Sequence, residues 1–258
     1  MNEVSGTSRV CCGGGQTDNP FDLPQTISRR LKRCMEAHQD GDKIEGDKVE
    51  YLWIDVTTGA SGDKRPEDAR KLTIEDWLNV VDEAASIGCC CLLVRVDESL
   101  FAWPGLFTLC QWAQTAHDMM VGLHTHARSL AEEDLEKLRE LNQGQTCLFI
   151  DEDAFDEMKH LQDRGISLCP ATVRDGSHEM PCTMAECMVF VGAEGRLYTC
   201  GMVHGDHNFC FGSILDQRLA AVVADPSLPR TITAEMRASM KSRSCDGCPP
   251  IMSQRVRH

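Results

Sequence analysis

Residues 72–96 read LTIEDWLNVVDEAASIGCCCLLVRV, and the change of texture inside this stretch decides the fold. Thr73 followed by Asp76 is a capping-box pair, and Ile74, Trp77, Val81 and Ala84 recur on one helical face, so the spacing predicts a helix opening at Thr73. Gly88 closes it. Cys89 to Val96 is then an unbroken apolar run, the pattern of a buried strand.

The same alternation extends in both directions. Tyr51-Leu-Trp-Ile-Asp-Val56 is strand-like, Leu106 to Met119 helical, and Val121-Gly-Leu-His-Thr-His126 a strand again. Ser129 with Glu132 reads as a second capping box, opening a helix that turns Leu135 and Leu138 inward. Thr146 to Ile150, Asp153 to Arg164 and Ile166 to Leu168 repeat strand, helix, strand. Strands separated by helices of this length pair in parallel through right-handed crossovers. Five such strands are too few for a closed eight-fold barrel, so an open or partial barrel is expected. Ahead of it, residues 1–25 are polar and glycine-rich, Thr26 to His38 reads as a short basic amphipathic helix, and Gln39 to Glu50 as a charged linker.

Composition narrows the function. The 258 residues carry a formal charge of −14, which argues against a nucleic-acid backbone or an anionic membrane as partner. No apolar run of about 18 residues spans a bilayer, and MNEVSGTSRVCCGGG lacks the apolar segment of a signal peptide. A cytoplasmic location is expected. Fifteen cysteines, odd in number and clustered, do not look like a disulfide framework. Some suit a metal or cluster, and burial as small apolar residues accounts for most of the rest.

The metal-binding candidates lie in the C-terminal quarter. Cys187-MVFVGAE-Gly195-RLYT-Cys200 is followed, after 44 residues, by Cys245-Asp-Gly-Cys248. A Cys-x2-Cys turn aims two thiolates at one point, and a hairpin can bring a second pair to meet it. Four thiolates suit zinc or an iron–sulfur cluster, and spacing alone does not choose between them.

This region resembles the SPASM and twitch domains that follow the barrel in many radical SAM enzymes. Their pattern is Cys, a short strand, Gly, four residues, Cys, a helical segment, and a distal Cys-x2-Cys. Phe211-Gly-Ser-Ile-Leu215 and the helix-like Asp216 to Ala224 fall where that family has a further strand and helix. Nothing but PPIMSQRVRH follows Cys248, so the likeness is to the one-cluster, twitch version. LTIEDWLNVVDEAASIG and GLHTHARSLAEEDLEKL also resemble the helices after the family's first and third strands, and the likeness covers roughly residues 51–248. It implies a [4Fe–4S] cluster on Cys187, Cys200, Cys245 and Cys248, with zinc as the alternative and Cys182 as a substitute ligand. It also implies an α/β fold, a truncated parallel β/α barrel followed by a small cysteine-ligated cluster domain. The corresponding divisions are 1–50 (tail, helix and linker), 51–172 (barrel) and 173–258 (cluster domain).

The departures limit the activity. The family holds its SAM-cleaving cluster on Cys-x3-Cys-x2-Cys after the first strand, where this chain has TTGASGDKRP at 57–66 and no cysteine. Its GGEP after the second strand is here Val96-Asp97-Glu98-Ser99, which keeps only a glutamate. SAM as a cofactor, and standard radical SAM catalysis, are therefore not expected. Three readings follow: an iron–sulfur protein relaying electrons to a modifying enzyme or docking with it; a SAM-independent enzyme that binds a small molecule near Thr57–Arg65, Glu98 and His124/His126 and uses the C-terminal cluster as redox centre or sulfur source; or a zinc-stapled interaction module.

The remaining candidates have plainer readings. Cys89-Cys90-Cys91 alternate across a strand and cannot converge on one metal. Cys34, Cys110, Cys147, Cys169 and Cys210 read as core, and Cys11-Cys12 has no ligand partner nearby. His124 and His126 share a strand face, as in a metal-binding pair, but the further ligands such sites need, a Lys or another His and an Asp at later strand ends, have no clear counterpart, so they read as pocket-lining. His204 and His207 read as solvated loop residues. The loop 59–65 reads as a surface loop, and Asp151-Glu-Asp153 as a helix N-terminus favoured by the macrodipole.

Overall fold

The computed structural model describes residues 49–56, 72–96, 99–171 and 184–225. Cys11, Cys12, Cys34, the loop 57–66, Cys182, Cys245 and Cys248 lie outside them. The strands are β1 (Tyr51–Asp55), β2 (Cys91–Arg95), β3 (Met120–Thr125), β4 (Thr146–Asp151) and β5 (Leu168–Ala171), then β6 (Met188–Val191), β7 (Arg196–Tyr198) and β8 (Cys210–Ser213). Between them come helices α1 (Ile74–Ser86), α2 (Leu106–His117), α3 (Glu132–Glu140) and α4 (Glu152–Met158), with α5 (Leu219–Val223) at the end.

All eight described strands form one sheet in the order β5-β4-β3-β2-β1-β6-β7-β8. Five parallel strands are predicted from the periodicity, and the structure has six. The sixth is β6, which runs parallel along β1 with Tyr51 opposite Met188 and Ile54 opposite Val191. Its four residues are buried, as befits a strand flanked on both sides. β7 and β8 then pair antiparallel beyond it.

Because β1 to β5 follow one another in one direction, every crossover lies on the same side of the sheet. The helices cover that face, where Leu52, Val94, Leu123 and Ile150 meet Trp77, Val81, Leu109 and Leu138. The other face carries no helix residue from α1 to α4. It is rich in sulfur and aromatics: Trp53, Cys91, Met120, Cys147, Phe149, Phe190 and Tyr198.

The helix signals behave unevenly. Thr73 forms the full capping box with Asp76, and Gly88 takes φ +101° after α1. Ser129 does not cap. α3 starts at Glu132 with Ala131 as N-cap and no side-chain bond, and Glu132 pairs instead with Arg139 and Arg164. The charge on these arginines outbids the neutral Ser129 backbone N–H that a capping-box glutamate would accept from. The 153–164 helix is α-helical only to Met158 and continues as a 3-10 helix over Lys159–Arg164. No described helix is long and apolar enough to cross a membrane.

Candidate functional site

Parallel strands put their carboxyl ends at one edge of the sheet, and ligands of such sheets bind there. On the face away from the helices, that edge is polar here. Asp55, Arg95 and His124 stand in register on β1, β2 and β3. Asp55 is 1% exposed, and an Arg95 guanidinium nitrogen lies 3.7 Å from its carboxylate.

The next strand completes a cluster. Residues two apart share a strand face, so His124 and His126 point the same way, and Thr125 turns away to accept a bond from the Ala127 N–H at 3.1 Å. β4 pairs His124 with Phe149 and Thr125 with Ile150, which brings Asp151 level with His126. Its two carboxylate oxygens take one imidazole each: Nε2 of His124 at 3.2 Å and Nδ1 of His126 at 2.5 Å. The ring centroids are 5.0 Å apart. His124 is buried, whereas the side chain of His126 is 45% exposed.

Charge follows this geometry. Burial holds the His124 imidazole below its usual proton affinity, against the pull of Asp151. Burial alone would raise the Asp151 carboxyl, but hydrogen bonds from His124 and His126 outweigh it and hold the group well below the ordinary carboxylate range. One ring atom is left over: Nδ1 of His124 is buried with no hydrogen-bond partner among the described residues.

Two expectations are corrected here. Asp151 is more than the start of a helix. It occupies the N-cap position of α4 but makes no cap bond, and its carboxylate is spent on the histidines. It is also the acidic partner at a later strand end that the histidine pair was expected to lack. An Asp ending the strand after a His-x-His strand is the signal that identifies it, once the register is known.

The β6–β7 turn adds a second polar group at the same edge. Gly195 takes φ +80°, and Glu194 folds back so that Nε2 of His204 lies 3.3 Å from each of its oxygens. Gly192 makes room, since a Cβ there would fall 2.6 Å from Glu194 and 2.7 Å from His204. His204 packs on Phe190 and Tyr198, so it is not a solvated loop residue. Burial raises the Glu194 carboxyl, and the His204 bond more than reverses that. His207 accepts from Arg196 at 3.1 Å and is exposed.

The cysteines fall at the other end of the sheet. Cys187 and Cys200 are buried, at 1% and 7% exposure, where the β6–β7 hairpin opens. The Glu50 N–H donates to the Cys187 carbonyl at 2.8 Å, which places Cys187 level with the start of β1. The histidine cluster lies about 15 Å away along the strand direction.

The other described cysteines pack as core. Cys110 and Cys147 are fully buried and Cys169 nearly so, while Cys210 is half-buried and donates to the Gly212 carbonyl at 3.5 Å. Cys89 packs with the helices and Cys91 on the opposite face. None of the nine described cysteines is in a disulfide. Burial pushes the Cys110 thiol up to about 12 and raises Cys89 and Cys147 as well. Protonated, enclosed thiols are poor nucleophiles. Treating the native protein with iodoacetamide at pH 8 is therefore expected to leave Cys89, Cys110 and Cys147 unmodified, and urea to make all three reactive. Peptide mass spectrometry checks this, and rapid native labelling of Cys147 would contradict it.

No protein-family model matches the chain, and no curated protein matches it in sequence. Among solved structures it is similar to BtrN in complex with AdoMet and 2-DOIA, with a TM-score of 0.51 and 10% identity, over 70% of this chain and 85% of that one. It is also similar to Streptococcus suis SuiB bound to precursor peptide SuiA, with a TM-score of 0.50 and 9% identity, over 88% of this chain and 74% of that one. Both are radical SAM enzymes, and at such identity the likeness is one of fold. The parallel-dominated eight-stranded sheet matches the radical SAM fold.

Proposed function

We propose that the chain is an iron–sulfur protein on a radical SAM scaffold that does not itself cleave SAM. One [4Fe–4S] cluster sits on Cys187, Cys200, Cys245 and Cys248, and the protein relays electrons to a modifying enzyme or docks with it. After an N-terminal segment, 1–50, residues 51–172 form the truncated barrel and 173–258 the twitch-like cluster module. The carrying observation is the burial of Cys187 and Cys200 together at the open end of one hairpin. A buried pair of thiols at a hairpin mouth fits two ligands of a centre whose other two come from the Cys245–Cys248 turn.

The residues do not fit the SAM-cleaving cluster. That centre needs three closely spaced thiolates after β1, and residues 57–66 contain none. A centre with four thiolate ligands has no free iron position, which suits electron transfer or structural support. An acidic chain of this kind would meet a partner with a basic surface.

A second reading draws on the polar edge. Asp55, Arg95, His124, Asp151 and Glu194 gather where sheets of this kind bind substrates, which favours a SAM-independent enzyme acting on a small molecule.

Anaerobic purification with iron and sulfide analysis tests the first reading. The wild type is expected to be brown, to bleach with dithionite, and to hold about four irons and four sulfides per chain. Cys200→Ser is expected to lose the sulfide. Zinc without sulfide would favour the zinc-stapled module, and SAM cleavage with turnover would overturn the reading.

A further inference from the structure

We propose that His124, His126 and Asp151 form a second, independent metal site, a two-histidine, one-carboxylate centre for a divalent first-row transition ion. The inference does not rest on the C-terminal cysteines.

One ligand atom from each of these residues lies within 4.8 Å of the others. Metal bonds to imidazole nitrogen and carboxylate oxygen are about 2.0–2.2 Å long, so ligands on one ion stand about 3–3.5 Å apart. Nε2 of His124 and Oδ1 of Asp151, at 3.2 Å, already have that spacing. Nδ1 of His126 and Oδ2 of Asp151, at 2.5 Å, must part by less than an ångström. Of the two imidazoles His126 is the exposed one, with 45% of its side chain open to solvent against 1% for His124. The strand backbone thus supplies a fixed floor, and solvent reaches the site from the His126 side.

The unpartnered ring nitrogen of His124 neither demands a metal nor opposes one. Nδ1 of His124 is buried and unpartnered among the described residues, which a fully satisfied internal network would avoid. In the metal-free state the His124 proton sits on Nε2, facing Asp151, and Nδ1 is an orphan acceptor. When Nε2 takes a cation the proton moves to Nδ1, which becomes an orphan donor unless a water fills in. The exchange is near neutral at Nδ1, while Nε2 and the carboxylate gain a cation.

The donor set selects the ion. Two imidazoles and one carboxylate suit zinc, ferrous iron or cobalt, whereas magnesium and calcium prefer oxygen alone. Arg95, in register with His124, would repel a cation, but its charge is offset by Asp55. Three protein ligands leave positions for water or an anionic oxygen ligand, as in catalytic rather than structural sites.

The test is Co2+ and Zn2+ titration of the full chain by calorimetry, with the Co2+ visible spectrum recorded anaerobically. One equivalent is expected to bind with nitrogen and oxygen ligation. His126→Ala and Asp151→Asn should weaken it by about tenfold or more, while Cys200→Ser leaves it unchanged. His126 is exposed, so its variant should keep the wild-type circular dichroism. Losses smaller than tenfold in both variants would overturn the site. Because the ion carries no sulfide, failure here and failure of the cluster are told apart: sulfide reports on the cysteines and cobalt on the histidines.

Discussion

Trp53→Ala is expected to lower the free energy of unfolding by about 3–5 kcal/mol, and Trp53→Phe by no more than about 1–2 kcal/mol. Trp53 lies mid-strand in β1 and is 1% exposed. Its indole meets Phe190 of β6 edge to face, with centroids 5.2 Å apart. The 3-10 turn at Gly201–Val203 lies flat on it, so closely that a Cβ on Gly201 would fall 2.7 Å from the ring. Trp53 therefore joins the five-strand parallel array to the segment carrying Cys200, and truncation to alanine would leave a cavity between them. Phenylalanine keeps most of the ring. It also removes a buried polar atom, since the indole Nε1 has no hydrogen-bond partner among the described residues, and an orphan of that kind costs about 1–3 kcal/mol. Urea unfolding followed by far-ultraviolet circular dichroism gives both numbers. Equal losses for the two variants would mean that the indole nitrogen makes a bond of its own.

What was legible in the sequence, and what was not, divides by range. The Thr73–Asp76 capping box lies within one turn, and the structure forms both of its bonds. The apolar periods of β1 to β4 likewise locate the strands to within a residue or two. Ser129 failed although its spacing to Glu132 was right, because Arg164, 32 residues away, competes for the same carboxylate. The parallel pairing of β1 to β5 held, but the place of β6 in the sheet was missed because it too is set over long range. Nothing local in Met188-Val-Phe-Val191 says that it will lie beside β1 rather than beyond β5, and the choice depends on an edge 137 residues earlier. Asp151 sits between these cases. Its residue type and its place at a strand end are plain, but its role appears only when the β3–β4 register sets it against His126. Strand-end polar residues should therefore be paired across neighbouring strands before any is assigned to a helix cap.

Gly122→Val is expected to destabilise the protein by about 3 kcal/mol, at the upper end of the usual overpacking range, and Phe149→Leu in the same chain to recover part of that loss. Gly122 lies in the middle of β3, on the sulfur- and aromatic-rich face. A Cβ added there would stand 2.6 Å from Cδ1 of Leu93 and 2.7 Å from Cε2 of Phe149. Leu93 meets the new atom with the end of a flexible side chain, though it is itself buried at 4% exposure. Phe149 is 5% exposed and is the register partner of His124, so its ring has little room to move. Phe149→Leu alone should cost about 1.5 kcal/mol or less. If the two side chains compete for one volume, the double variant loses less than the sum of the single losses by about 0.5–3 kcal/mol. The same crowding pushes β3 from β4, which widens the spacing between His124 and Asp151 two residues on. Gly122→Val should therefore weaken cobalt uptake as well, and Phe149→Leu should restore it in step with stability. Strict additivity in urea unfolding would show that the valine is accommodated by Leu93 alone. Unchanged cobalt uptake in Gly122→Val would show that the histidine cluster is held by the strand ends themselves.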